Sequence, residues 1–134
     1  MQTFLPYADF IKSAEVLDDK RLGKQRVEVK QIYNSLCNGG GWNNHPAVIM
    51  WEGYENALLL YGISICDEWI YRGFKDSLLD FFDSKIGSVR TLPCWLGDVE
   101  FHSSHRSNLL RKDYSYYSQF GWKEPVNLPY VWPS

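Results

Sequence analysis

Apolar residues recur every three or four positions over the middle of this chain: Ala47, Met50 with Trp51, Tyr54, Leu58, Tyr61, Ile65 and Trp69. That period belongs to one face of an α-helix and predicts a long central helix, around which the rest must pack. Asn43-Asn44-His45-Pro46 supplies its start, because Pro suits a first helical turn. Arg72-Gly73-Phe74 supplies its stop, with Gly73 as a left-handed cap. A chain of 134 residues has room for one domain with a genuine core.

Other helices follow from local signals. Asp9 caps a short helix through about Val16, and Asp18 or Asp19 opens a second that ends near Cys37. Gly39-Gly40-Gly41 reads as a loop between helices, since no strand precedes it and no Lys-Ser/Thr follows, as a phosphate-cradling motif requires. Ser77 to Lys85 predicts a short helix, and Asp98 caps another from Val99 to Lys112. Tyr114, Tyr116, Tyr117, Phe120 and Trp122 form an aromatic cluster after it. The proline-bracketed tail from Asn127 to Pro133 is expected to be extended and docked by its aromatics. No segment alternates as a strand does, so the expected fold is all-α: a compact single-domain helical fold spanning residues 1–134.

Charge is distributed unevenly. The formal net charge of −2 argues against a protein that coats nucleic acid by charge alone. Yet Lys20, Arg21, Lys24, Arg26 and Lys30 face a single acid, Glu28, within eleven residues, and Arg106, Arg111 and Lys112 form a second acid-free group. On a helix Arg21, Lys24, Glu28 and Gln31 share a face, while Leu22, Val29, Ile32, Tyr33 and Leu36 fall largely on another. Cations holding a polyanion around one carboxylate suit a phosphate-binding enzyme, and a solvated helix with ion pairs gives the same pattern.

Candidate chemistry gathers at few residues. Glu28, an acid among cations, suits stabilisation of a developing cation or acceptance of a proton. His45 stands at a helix N-terminus, where imidazolium is disfavoured; it reads equally as a cap or as a neutral site residue. His102 and His105 lie three apart and with His45 raise the alternative of a histidine-held metal, although the expectation is no metal and no cofactor. His105, Arg106, Asn108, Arg111 and Lys112 read as phosphate or base-edge contacts or as a solvated face. Cys37, Cys66 and Cys94 are odd in number and lack paired spacing, which suggests free buried thiols in a reducing compartment. No signal pattern opens the chain, and Glu52, Glu55, Asp67 and Glu68 interrupt the apolar segment 46–71. The expected setting is the cytoplasm, without membrane contact.

The run from Leu17 to Val29, the glycine loop, His45 before an aromatic helix, Arg72-Gly73-Phe74 and the late Lys-Asp-Tyr-Ser-Tyr-Tyr together resemble the pyrimidine-dimer DNA glycosylase family, of phage endonuclease V type. The Leu-Gly-Lys-Gln-Arg-Val-Glu and Leu-Pro-Tyr-Val-Trp-Pro signatures resemble those of small bacterial members. The resemblance implies an all-α fold that kinks DNA, flips a base and attacks the sugar C1′ with an N-terminal amine. An imine and β-elimination follow, without metal. Glu28 matches the glutamate that holds the cationic sugar, with Arg21 and Arg26 beside it. The family uses the amine of a Thr exposed by Met removal; this chain reads Met1-Gln2, so Met1 takes that place. The expected partner is damaged or modified DNA, or a nucleotide. The alternatives are a non-catalytic nucleotide or nucleic-acid binder and a histidine-metal hydrolase.

Overall fold

The structure is a computed structural model that describes residues 1–38, 44–89 and 91–133. The helices are α1 (Phe10–Val16), α2 (Asp19–Asn38), α3 (Pro46–Ile49), α4 (Glu55–Tyr71), α5 (Leu79–Lys85), α6 (Val99–Lys112) and α7 (Tyr114–Tyr117), followed by a 3-10 turn over Ser118–Phe120. No strand occurs among the described residues, and the all-α expectation holds. The expected glycine loop Gly39–Gly41 and Asn43 lie outside the described residues.

The caps anticipated from sequence are formed. Asp9 accepts from the Lys12 amide at 2.9 Å, Asp98 from the Glu100 amide at 3.1 Å, and Asp18 from the Arg21 amide at 3.3 Å. Each occupies a donor that the first turn of its helix leaves unpaired. Gly73 has φ of 95°, the left-handed geometry expected of it.

The single long central helix is not observed. It is divided into α3 and α4 by turns through residues 50–54, where Gly53 adopts φ of 84°. The apolar period survives the break because Trp51 still enters the core, stacked on Tyr61 with ring centroids 6.1 Å apart. Helical periodicity reports which residues are buried, and a turn that keeps them buried leaves the period intact.

Helix α4 is the hub, packed by α1, α2 and α5. Its approach to α2 and α5 depends on Gly62, where a Cβ would lie 2.9 Å from Val29 Cγ1 and 3.0 Å from the Phe82 ring. Of the three thiols only Cys66 is buried, whereas Cys37 and Cys94 are exposed; this corrects the expectation that all were core residues. No helix among the described residues is long and apolar enough to cross a membrane.

Helix α6 has an unusual interior. His102, Ser104, His105, Ser107 and Asn108 are all buried, so each polar atom requires a partner. Both ends of the chain, with carbonyls of the helix itself, provide most of them, and His105 Nε2 is left without a partner among the described residues. Toward the N-terminus, the Leu5 amide donates to His105 Nδ1 at 2.9 Å, His102 Nδ1 bonds the Leu5 carbonyl at 2.7 Å, and Arg106 donates to the Pro6 carbonyl at 2.7 Å. Toward the C-terminus, Ser107 Oγ accepts from the Leu128 amide at 3.0 Å and Ser104 Oγ from the Val131 amide at 3.1 Å. Asn108 Nδ2 donates to the Leu128 carbonyl at 3.1 Å. One polar helix face thus fixes both termini against the body.

Candidate active site

Residues 2–5 form a largely buried segment outside any helix, and its backbone groups are satisfied mostly by side chains. Gln25, 2% exposed on α2, accepts from the Phe4 amide at 2.8 Å and donates to the Gln2 carbonyl at 2.7 Å. Tyr61 donates to the Phe4 carbonyl at 2.5 Å, and Trp51 donates to Thr3 Oγ1 at 3.1 Å. Burial and the nearby Glu28 charge push the Tyr61 phenol well up, so its proton stays in place as a donor. The Gln2 amide donates to Glu28 Oε2 at 2.7 Å. Met1 therefore emerges one residue beyond Glu28.

It emerges into a cleft of about 410 Å³. Lys20, Arg21, Lys24 and Glu28 of α2 line it, together with Lys112 at the end of α6. The C-terminal tail contributes Tyr130 and Trp132, while His45 stands at the rim with its ring edge-on to Trp132. Glu28 Oε1 lies 3.7 Å from Lys24 Nζ, whose side chain is 75% exposed, so this contact shapes the local field more than it stabilises the fold.

His45 is both a cap and a cleft residue. Its Nδ1 accepts from the Ala47 amide at 3.0 Å, which places the ring proton of the neutral form on Nε2. Burial first, and then the positive chain terminus, hold its pKa below the usual histidine value, against an opposing effect of Glu28. At neutral pH His45 is a neutral group facing an amine and a carboxylate.

Several expected site residues are not in the cleft. Arg26 lies on another side of α2, its guanidinium 2.5 Å from Asp76 and 4.6 Å from the Trp69 ring centroid. His105, Arg106 and Asn108 are engaged by the chain ends as described, and Arg106 also pairs with Glu124 at 2.8 Å. Arg111 is exposed beside Asn108 and does not line the cleft. Burial pushes the His105 imidazole down to about 3, so it is neutral at physiological pH. Among the described residues no group of three or more His, Cys, Asp or Glu is arranged to hold a metal, and His102 and His105 are oriented by Leu5.

Sequence reasoning missed Gln25, Tyr130 and Trp132. Gln25 is one residue past Lys24 in the basic run, but nothing local shows that the start of the chain will lie across it. The tail aromatics carried a docking signal without a destination.

The chain belongs to the pyrimidine dimer DNA glycosylase family, whose model matches residues 1–81. That range contains Met1, Glu28 and His45, whereas Lys112, Tyr130 and Trp132 lie beyond it. No curated protein and no solved structure matches the chain. Membership carries the general function of a DNA glycosylase, which implies a DNA substrate.

Proposed function

We propose that the chain is a DNA glycosylase with abasic-site lyase activity, working on a damaged or modified base through an amine–imine intermediate. The carrying observation is the 2.7 Å bond from the Gln2 amide to Glu28 Oε2, which tethers the start of the chain beside the one acid of a basic cleft. The neutral Met1 amine attacks C1′ of an extruded nucleotide, and the base departs with the bonding electrons and takes a proton. The sugar ring opens as the nitrogen lone pair forms the iminium. Loss of a C2′ proton then expels the 3′ phosphate by β-elimination. Glu28 stabilises the positive charge that develops at the sugar, where a fixed carboxylate in a partly enclosed site acts most strongly. Arg21 and Lys24 hold the flanking phosphates.

Borohydride trapping on duplexes carrying an abasic site or a pyrimidine dimer tests this reading, since only an imine is reduced to a stable covalent adduct. Tandem mass spectrometry should place the adduct on the Met1 amine. Glu28→Gln keeps an acceptor for the Gln2 amide, so melting should change little while cleavage falls by orders of magnitude. Wild-type cleavage retained in that variant refutes the role of Glu28.

A non-catalytic DNA or nucleotide binder is the second reading. It draws on the same bond, because the Gln2 amide already engages the carboxylate that the chemistry needs. This reading requires binding with no trapped adduct in any variant.

A further inference from the structure

Besides the Met1 amine, the cleft is lined by the amines of Lys20, Lys24 and Lys112. Lys112 is the last residue of α6, the same helix whose polar face anchors both chain ends. It lines the same cleft as Met1 and Glu28. It makes no ion pair among the described residues, whereas Lys24 is 3.7 Å from Glu28. Asp113 follows it, but its carboxylate is turned to the Tyr116 amide at 3.3 Å.

We propose that Lys112 is a second imine-forming amine, specific for the ring-opened sugar of an abasic site. This rests on the amine–imine reading of the same cleft and extends it to a residue beyond the matched segment. The neutral Nζ adds to the C1′ aldehyde carbon, and the aldehyde oxygen takes up a proton to give a carbinolamine. Loss of water leaves an iminium. Removal of a C2′ proton, with Glu28 the nearby carboxylate, pushes electrons toward the nitrogen and breaks the C3′–O bond, releasing the 3′ phosphate. Hydrolysis returns the lysine and an unsaturated aldehyde. No oxidant or reductant enters.

The surroundings favour a reactive amine. Burial first, and then the charges of Arg21, Arg111 and Lys24, hold the Lys112 pKa below the ordinary lysine value, against a smaller opposing effect of Glu28. A larger neutral fraction at a given pH means faster addition to an aldehyde. Lys20 and Lys24 share the cleft and serve as internal controls.

The test is residue-level mapping of adducts formed by the wild-type chain on an abasic duplex with cyanoborohydride, between pH 6.5 and 9. We expect adducts at Met1 and Lys112, with Lys112 several-fold above Lys20 and Lys24 and its share rising with pH. Lys112→Arg keeps the charge and removes the nucleophile, so its adduct should vanish while the Met1 adduct remains. An adduct at Met1 alone overturns this inference and leaves the proposed function standing. Equal labelling of Lys20, Lys24 and Lys112 overturns it as non-selective aldehyde capture. No adduct at any residue overturns both. Thermal melting of Lys112→Arg within a few degrees of wild type keeps the comparison on folded protein.

Discussion

Gln25→Leu is the sharpest test of how the cleft is built. The side chain is buried at 2% exposure and joins three groups: the Phe4 amide, the Gln2 carbonyl and the Tyr61 hydroxyl, at 2.8, 2.7 and 3.1 Å. Leu has a similar size and no polar atoms, so the core stays filled while the bonds are lost. Tyr61 keeps its bond to the Phe4 carbonyl, which leaves two backbone groups unpaired. An unsatisfied buried group costs about 1–3 kcal/mol, giving roughly 2–6 kcal/mol against a typical total stability of about 5–15 kcal/mol. The first residues can relieve part of this by lifting toward water, so a loss of about 2–4 kcal/mol is expected in urea unfolding. That same relief displaces Met1 from Glu28. Single-turnover imine trapping should slow by roughly 10–100-fold, the size of effect that misplacing a reacting group by about 1 Å produces. Duplex binding should be almost unchanged, because Arg21 and Lys24 do not depend on Gln25. A destabilised variant that traps at the wild-type rate would refute the argument that this side chain sets the position of the amine.

Two further outcomes follow from the structure. His105 has a folded pKa of about 3 against an ordinary 6.5, so below pH 6.5 the unfolded chain takes up a proton that the folded chain refuses. Its contribution to stability is complete above about pH 6.5 and is lost as pH falls toward 3, at up to about 1.4 kcal/mol per pH unit; urea titrations across this range should show that slope, reduced in His105→Gln. Charge reversal should separate two neighbours on α2: Lys24→Glu weakens duplex binding and flattens its salt dependence with little change in melting, as expected for loss of a phosphate contact. Arg26→Glu instead sets a carboxylate against Asp76, whose side chain is 2% exposed, and should lower stability by about 3–5 kcal/mol, read by thermal or urea unfolding.

The starts of α1, α2 and α6 were legible in the sequence, while the break between α3 and α4 was not. Asp9, Asp18 and Asp98 act on amides two or three residues away, and the apolar period acts within each helix, so both signals are local. The sequence also singled out Glu28 with Arg21 and Lys24, because residues three and four apart share a helix face whatever the tertiary fold. Which cations share the cleft with that acid was set by the packing of distant segments. Arg26 is two residues from Glu28, yet it turns to Asp76, fifty positions away. His105, Arg106 and Asn108 looked like ligand contacts because polar side chains on a helix commonly face water, and here they meet two distant chain ends instead. Gln2, Phe4, Tyr130 and Trp132 carry no local pattern that assigns them to a site. They reach it because polar groups buried on α6 bond the backbone of both chain ends, and those bonds bring both termini to the cleft.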